Sequence, residues 1–155
     1  MPRFALATAL VVITAAFPFT DARNISVPTY DDLFAKSDFV VIARPITATR
    51  DTPEHNAIRD IGDPPLPVIG VITDFEAIFV IKGPKRKRFT LHHYRWAPVK
   101  KDVVMVNGPA FVSYDAKPIQ PTLLMFLTRE RDGRFAPTAG QTDPAAVSIH
   151  VIEGL

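Results

Sequence analysis

The sequence contains no cysteine among its 155 residues. This absence excludes disulfide bonds, thiolate nucleophiles, cysteine-ligated zinc and iron–sulfur clusters. It also excludes a lipid anchor attached to a cysteine behind a signal sequence. Small exported domains often depend on disulfides for stability, so this chain has to be stabilised by packing alone.

Motifs for common cofactors and reaction centres are absent as well. The chain has no GxGxxG motif and no P-loop, so no nucleotide cofactor is predicted, and it has no HExxH, HxH or aspartate-rich calcium loop. Its formal net charge of +2 is too small to imply a polyanionic partner, and nucleic acid is an unlikely one for an exported protein. The composition, 47% hydrophobic and 22% charged, is that of a globular protein. We therefore predict no cofactor.

Scattered polar residues still leave a small metal- or serine-dependent enzyme open as an alternative. The four histidines are His55, His92, His93 and His150. Adjacent side chains of a strand point to opposite faces, so His92 and His93 cannot easily bind one metal. Ser113 and Ser148 lack a GxSxG elbow, although a Ser-His-Asp set can meet in space whatever its order in the chain. The paired carboxylates, Asp31 with Asp32 and Asp60 with Asp63, fall in a helix start and a loop.

Residues 1–22 have the pattern of a secretory signal peptide. Arg3 supplies the positive charge, and an almost wholly apolar core runs from Phe4 to Phe17. Thr20 and Ala22 are the small residues of a cleavage site. The apolar core is shorter than the ~20 residues that span a bilayer. We therefore predict a secreted or periplasmic protein with no transmembrane segment after cleavage, whose residues 23–155 form one domain.

The remaining chain has the strand and turn pattern of a small all-β protein. Thr29 is suited to cap a helix at 30–36, and Asp132-Gly133 between apolar runs is a strong hairpin signal. Residues 50–67 have four prolines and no apolar period, which predicts a surface loop. Strands are predicted at 39–47, 68–82, 88–94, 103–106, 110–114, 123–129, from 135 onward and at 147–152. This spacing predicts an OB-like Greek-key β-barrel with one short N-terminal helix.

The longest predicted strand, residues 68–82, carries most of the candidate core. One side of an ideal strand there contains Val71, Thr73, Phe75, Ala77, Phe79 and Ile81. Ile78 and Val80 break this alternation, so we predict a bulge near Ala77 that turns the strand into a second wall of the barrel.

Several of these segments resemble a known family. They are residues 37–41, 73–75, 80–83, 123–127, 133–135 and 140–141. Their order is similar to that in a group of exported bacterial proteins of unassigned function that resemble the barrel of the tissue inhibitor of metalloproteinases. The resemblance implies the barrel fold. It does not carry over the inhibitory mechanism, because the animal inhibitors chelate the protease zinc with an amino-terminal cysteine that this chain lacks.

The candidate ligand-binding residues are a basic run and two aromatic residues beyond it: Lys85, Arg86, Lys87, Arg88, Tyr94 and Trp96. Cations next to aromatic rings suit an anionic envelope polymer or lipid surface, although a basic turn is also a common solvated hairpin tip that discourages edge pairing. We predict a non-enzymatic binding or interaction module for an unknown protein or an anionic envelope component. The second alternative is an inhibitor of an exported hydrolase, using residues 50–67 or 96–108 as a wedge.

Overall fold

The computed structural model describes residues 27–58, 66–98, 109–115 and 120–152. The predicted signal peptide, the predicted strand at 103–106 and the carboxylate pair Asp60 and Asp63 lie outside these residues. None of the helices within the described ranges has the length and apolar character needed to cross a membrane.

The predicted N-terminal helix is confirmed as α1, Tyr30–Lys36. A capping box starts it, because the Thr29 hydroxyl accepts a hydrogen bond from the Asp32 N–H at 3.2 Å while the Asp32 carboxylate accepts from the backbone N–H and the hydroxyl of Thr29. The hydrogen bonds from Thr29 hold the pKa of Asp32 below its ordinary value. Leu33 is the buried residue of the helix and anchors it to the barrel.

Seven strands are present in the described part of the chain. They are β1 (Phe39–Pro45), β2 (Arg50–Ile58), β3 (Leu66–Lys82), β4 (Arg88–Trp96), β5 (Thr122–Arg129), β6 (Phe135–Pro137) and β7 (Ile149–Ile152). A second helix of four residues, α2 (Pro144–Val147), precedes β7. This second helix was not predicted, and it lies directly before the last strand, which was predicted to begin at residue 147.

Five of the strands close into a barrel, which confirms the predicted small all-β fold. Their order is β1-β3-β4-β6-β5, and β5 pairs back with β1. The β4–β6 pair is parallel, whereas the other pairs of the barrel are antiparallel. The tight turn between β5 and β6 uses Asp132 and Gly133 as predicted, with Gly133 at φ +90°. Closure leaves these five strands without free edges where they pair with one another, whereas the first half of β3, which β1 does not cover, pairs with β2.

Both faces of β1 are covered along its apolar run. Phe39, Val41 and Ala43 point into the barrel interior. Val40 points outward into a second cluster, where Leu33 of α1 and Phe126 of β5 cover it. The helix therefore lies on the outside of the barrel, against β1 and β5.

The bulge predicted near Ala77 is present in β3. Ala43 pairs with Ala77 and Ile42 pairs with Phe79, so Ile78 is the extra residue. The inward set of β3 holds up to Ala77, which packs against the core, but Phe79 and Ile81 are exposed instead. The extra residue reverses the alternation, and Val80 packs against the core in their place.

Two other segments differ from expectation. Residues 50–58 of the predicted surface loop form β2, which pairs with the first half of β3 and has a register shift between Asp51 and His55. Residues 110–114, predicted as a strand, lie outside any strand. Their backbone carbonyls instead accept isolated hydrogen bonds. The Thr49 N–H donates to the Tyr114 carbonyl at 2.7 Å, and the Asp143 N–H donates to the Ala110 carbonyl at 3.0 Å.

Candidate functional site

The basic hairpin, defined as residues 85–88 from the β3–β4 turn to the first residue of β4, is largely exposed. Lys85, Lys87 and Arg88 are exposed, whereas Arg86 is half-buried and its guanidinium lies 5.5 Å from the centre of the Phe135 ring. Among the described residues, no carboxylate forms a salt bridge with any of the four cations. Their positive charge is therefore available to a ligand.

The structure does not bring the two predicted aromatic residues to this hairpin. Trp96 lies eight positions after Arg88 on β4, which corresponds to about 26 Å along a strand. Tyr94 donates a hydrogen bond to Glu54 at 3.0 Å, and the Trp96 ring packs edge-on against Phe111 at 4.9 Å. The cations and these two rings therefore lie at opposite ends of β4.

The hairpin instead adjoins exposed apolar side chains of β3. Ile78 is 53% exposed and Phe79 is 62% exposed. A groove of about 420 Å³ is lined by these two residues together with Ala77, Val80, Lys85, Arg86 and Lys87. We call the exposed side chains of Ile78 and Phe79, together with the basic hairpin, the basic–apolar face. The exposure of Ile78 and Phe79 was not predicted from the sequence, although the broken alternation at Ile78 and Val80 indicated that the strand changes faces there.

A second polar centre lies around His92, which is 3% exposed. Its Nδ1 lies 2.8 and 2.9 Å from the two carboxylate oxygens of Glu130, and its Nε2 lies 3.0 Å from Oε2 of Glu54. Arg134 adds a positive charge, with its Nε 3.5 Å from Glu130 and its Nη2 3.9 Å from Glu54. We call Glu54, His92 and Glu130 the Glu–His–Glu cluster.

The absence of a side chain at Gly70 makes this cluster possible. Gly70 lies on β3 between β2 and β4, opposite Tyr94. A Cβ there would lie 2.9 Å from the Thr52 hydroxyl and 3.0 Å from the Cβ of Glu54. Glu54 therefore crosses over Gly70 from β2 to reach β4, and the cluster joins β2, β4 and the β5–β6 turn.

The geometry of the cluster fits a structural role. The two carboxylates approach the imidazole from its opposite nitrogens, so they do not converge on one point where a metal ion could bind. Within the described ranges, no group of three His, Cys, Asp or Glu side chains could hold a metal ion. Both ring nitrogens of His92 face carboxylates, so neither nitrogen is directed at a side chain that it could activate as a nucleophile.

Replacing His92 by Leu is expected to destabilise the protein by about 1–3 kcal/mol, because Glu54 and Glu130 lose their shared partner. The two carboxylates are about one-third exposed, so in the variant they can turn toward water. The loss of stability is therefore smaller than for a fully buried pair. Urea denaturation measures the effect. Tyr94→Phe, which removes one hydroxyl from the same cluster, serves as the control with an expected loss of about 1 kcal/mol. Unchanged stability in His92→Leu would show that the cluster is not stabilising.

His93 points to the opposite face, as the strand period predicted, and lies inside the barrel. Its Nε2 is 3.0 Å from the Thr73 hydroxyl, which is itself 3.0 Å from the Thr49 hydroxyl. Burial lowers the pKa of His93 to about 4, with a further lowering by the neighbouring His92 and an opposing backbone hydrogen bond at Val112. His93 is therefore a neutral residue of the core.

The other candidates for chemistry are separate from one another. His55 is exposed on β2, and His150 on β7 lies 3.0 Å from the Val147 carbonyl. Ser148 is fully buried and accepts a hydrogen bond from the Ala139 N–H, while Ser113 is exposed. No hydrogen bond joins either serine to a histidine in the described part of the chain.

Comparison with known proteins adds no assignment. The sequence matches no protein-family model, and no curated protein matches it. Function is therefore inferred from the basic–apolar face and from the contacts of the other candidate residues.

Proposed function

We propose that this chain is an exported, non-enzymatic binding module that holds an anionic component of the cell envelope. Export rests on the predicted signal peptide at residues 1–22. The proposed module is an OB-type barrel, which the closed order β1-β3-β4-β6-β5 with its single parallel pair supports. The predicted likeness to the barrel of the tissue inhibitor of metalloproteinases belongs to the same proposal.

The basic–apolar face is the observation that carries this proposal. Cations that already pair with carboxylates gain little from a ligand, whereas the four cations of the hairpin have no such partner among the described residues. They also border exposed apolar side chains, and such patches mark binding surfaces more often than plain solvated surface. The two kinds of ligand considered, an anionic polymer and an anionic lipid surface, both present a dense array of negative charge to these cations.

Changing Lys85, Arg86, Lys87 and Arg88 together to Ser is expected to abolish retention on dextran sulfate beads and on phosphatidylglycerol vesicles. Retention of the unaltered protein is expected to fall steeply as salt rises from about 0.05 to 0.5 M, because exposed charges are screened. The melting temperature should fall by no more than a few degrees, since the contact that is lost is the half-buried Arg86–Phe135 cation–π contact, of about 1 kcal/mol.

A matched control removes the same charge elsewhere, by changing Arg44, Arg50, Arg129 and Arg131 to Ser. This variant should keep most of its retention on both matrices. Dextran sulfate and vesicles distinguish a polymer from a lipid surface, and phosphatidylcholine vesicles test for binding without negative charge. Equal retention of the hairpin variant and the unaltered protein at low salt would contradict the proposal.

A further inference from the structure

A second groove lies next to the basic–apolar face, between α1 and the outer surface of the barrel. Its volume of about 320 Å³ is at the lower end of the ~300–1,000 Å³ typical of small-ligand sites. The apolar walls are Tyr30, Phe34, Val40, Ile81, Leu124 and Phe126. We call it the α1 groove. Phe34 is 42% exposed and Ile81 is 44% exposed, so its walls are open to solvent on one side.

Charge around the α1 groove is asymmetric. Lys82 places its ammonium 5.1 Å from the centre of the Phe34 ring and donates hydrogen bonds to the carbonyls of Phe34 and Ala35. Asp31 is the acidic residue in the lining. An anionic group is therefore attracted to the Lys82 side of the groove and repelled from the Asp31 side, which gives a ligand one preferred orientation.

Two exposed side chains of β3, two residues apart, connect the α1 groove with the basic–apolar face. Phe79 and Ile81 both point outward from β3, the first beside the basic hairpin and the second into the α1 groove. A ligand that fills both regions has an anionic head and an apolar chain. We propose that the α1 groove takes one acyl chain of an anionic lipid, whose head group lies against Lys82 and the basic hairpin. This inference rests on the proposed function and names the class of its ligand.

An anionic polymer would satisfy the cations but would leave the α1 groove and the side chains of Phe34, Phe79 and Ile81 in water. A lipid removes this apolar surface from water in the same binding event, and each methylene transferred raises the affinity about fourfold. Affinity is therefore expected to depend on chain length, which it cannot do for a ligand held by charge alone.

Binding of n-alkyl phosphates with six to twelve carbons tests this dependence on the unaltered protein. Equilibrium dialysis below the critical micelle concentration is expected to show an affinity that rises about 16-fold for every two carbons and then levels off once the groove is full. Alkyltrimethylammonium ions of the same lengths should bind more weakly, because their charge is repelled by Lys82 and the hairpin. An affinity that is independent of chain length, or equal for the two charges, would overturn the inference.

Two double variants test where the alkyl chain of the ligand binds. Phe34→Ser with Ile81→Ser is expected to weaken binding of decyl phosphate at least tenfold, since it removes two walls of the groove. Ile46→Ser with Val151→Ser changes two other exposed apolar side chains, 41% and 64% exposed, and should leave the affinity unchanged. An equal loss in both double variants would contradict binding in the α1 groove. The melting temperature of each variant shows whether it is folded.

Retention on dextran sulfate separates this inference from the proposed function. Both double variants should be retained as strongly as the unaltered protein, because neither changes a cation. If the protein is retained on dextran sulfate but its affinity for alkyl phosphates does not depend on chain length, the acyl site is overturned and the anion-binding module remains. Chain-length-dependent binding by the hairpin variant, at undiminished affinity, would support the groove and count against the head-group position.

Discussion

Phe75→Ala is expected to lower the free energy of unfolding by about 3–5 kcal/mol, a large share of the ~5–15 kcal/mol typical of a whole domain. Phe75 is fully buried inside the barrel, stacked on Phe89 with ring centres 5.4 Å apart and packed edge-on against Tyr114 at 5.2 Å. Truncation would leave a cavity among aromatic rings held by three different segments, which cannot all move to fill it. Urea denaturation measures the loss.

Phe79→Ala is the matched control, because it makes the same chemical change four residues further along β3. Phe79 is 62% exposed, so the expected change in stability is within about 1 kcal/mol. An ideal strand would place both residues on the same face, whereas the bulge at Ile78 separates them. Similar losses in the two variants would therefore show that the bulge does not reverse the faces of β3.

Acid is expected to destabilise the protein through His93. Its pKa is lowered from 6.5 to about 4 in the folded state, chiefly by burial. The unfolded chain therefore takes up a proton at a higher pH than the folded protein does. Stability from this residue is complete above pH 6.5 and is lost as the pH falls toward 4, by about 3 kcal/mol in total.

His93→Gln provides the comparison, because glutamine stays neutral at every pH. The difference in unfolding free energy between the unaltered protein and this variant is expected to shrink by about 3 kcal/mol from pH 7 to pH 4. Using the difference cancels the titration of aspartates such as Asp51 and Asp74, whose pKa values lie below their ordinary range. Burial raises the pKa of Asp74, but hydrogen bonds from Thr90 and Arg50 together outweigh it, and a hydrogen bond from Arg95 lowers the pKa of Asp51. A difference that stays constant over this range would contradict a neutral, buried His93.

Features that depend on neighbouring residues were predictable from the sequence. Helix α1 begins and ends where expected, because its capping box joins Thr29 and Asp32, only three residues apart. The β5–β6 turn follows from Asp132-Gly133, since glycine readily adopts the positive φ found there. The opposite orientations of His92 and His93 follow from the period of a strand.

The candidate sites depend on contacts between distant residues. The Glu–His–Glu cluster brings together side chains 38 residues apart on each side of His92, and no local pattern marks Glu54 or Glu130 as its partners. Prolines in residues 50–67 indicated a loop, yet β2 forms because β3 offers it a free edge. Tertiary pairing outweighed local propensity there.

The sequence by itself determined the strand-rich composition, the first helix, the tight turns and the positions of the cations. Only the tertiary structure decided that Phe79 and Ile81 face solvent beside those cations, while Tyr94 and Trp96 lie at the far end of β4. The physical reason is that an extra residue at Ile78 reverses the alternation of the side chains that follow it, until a second register shift at Ile81, and pairing with β1 sets both places.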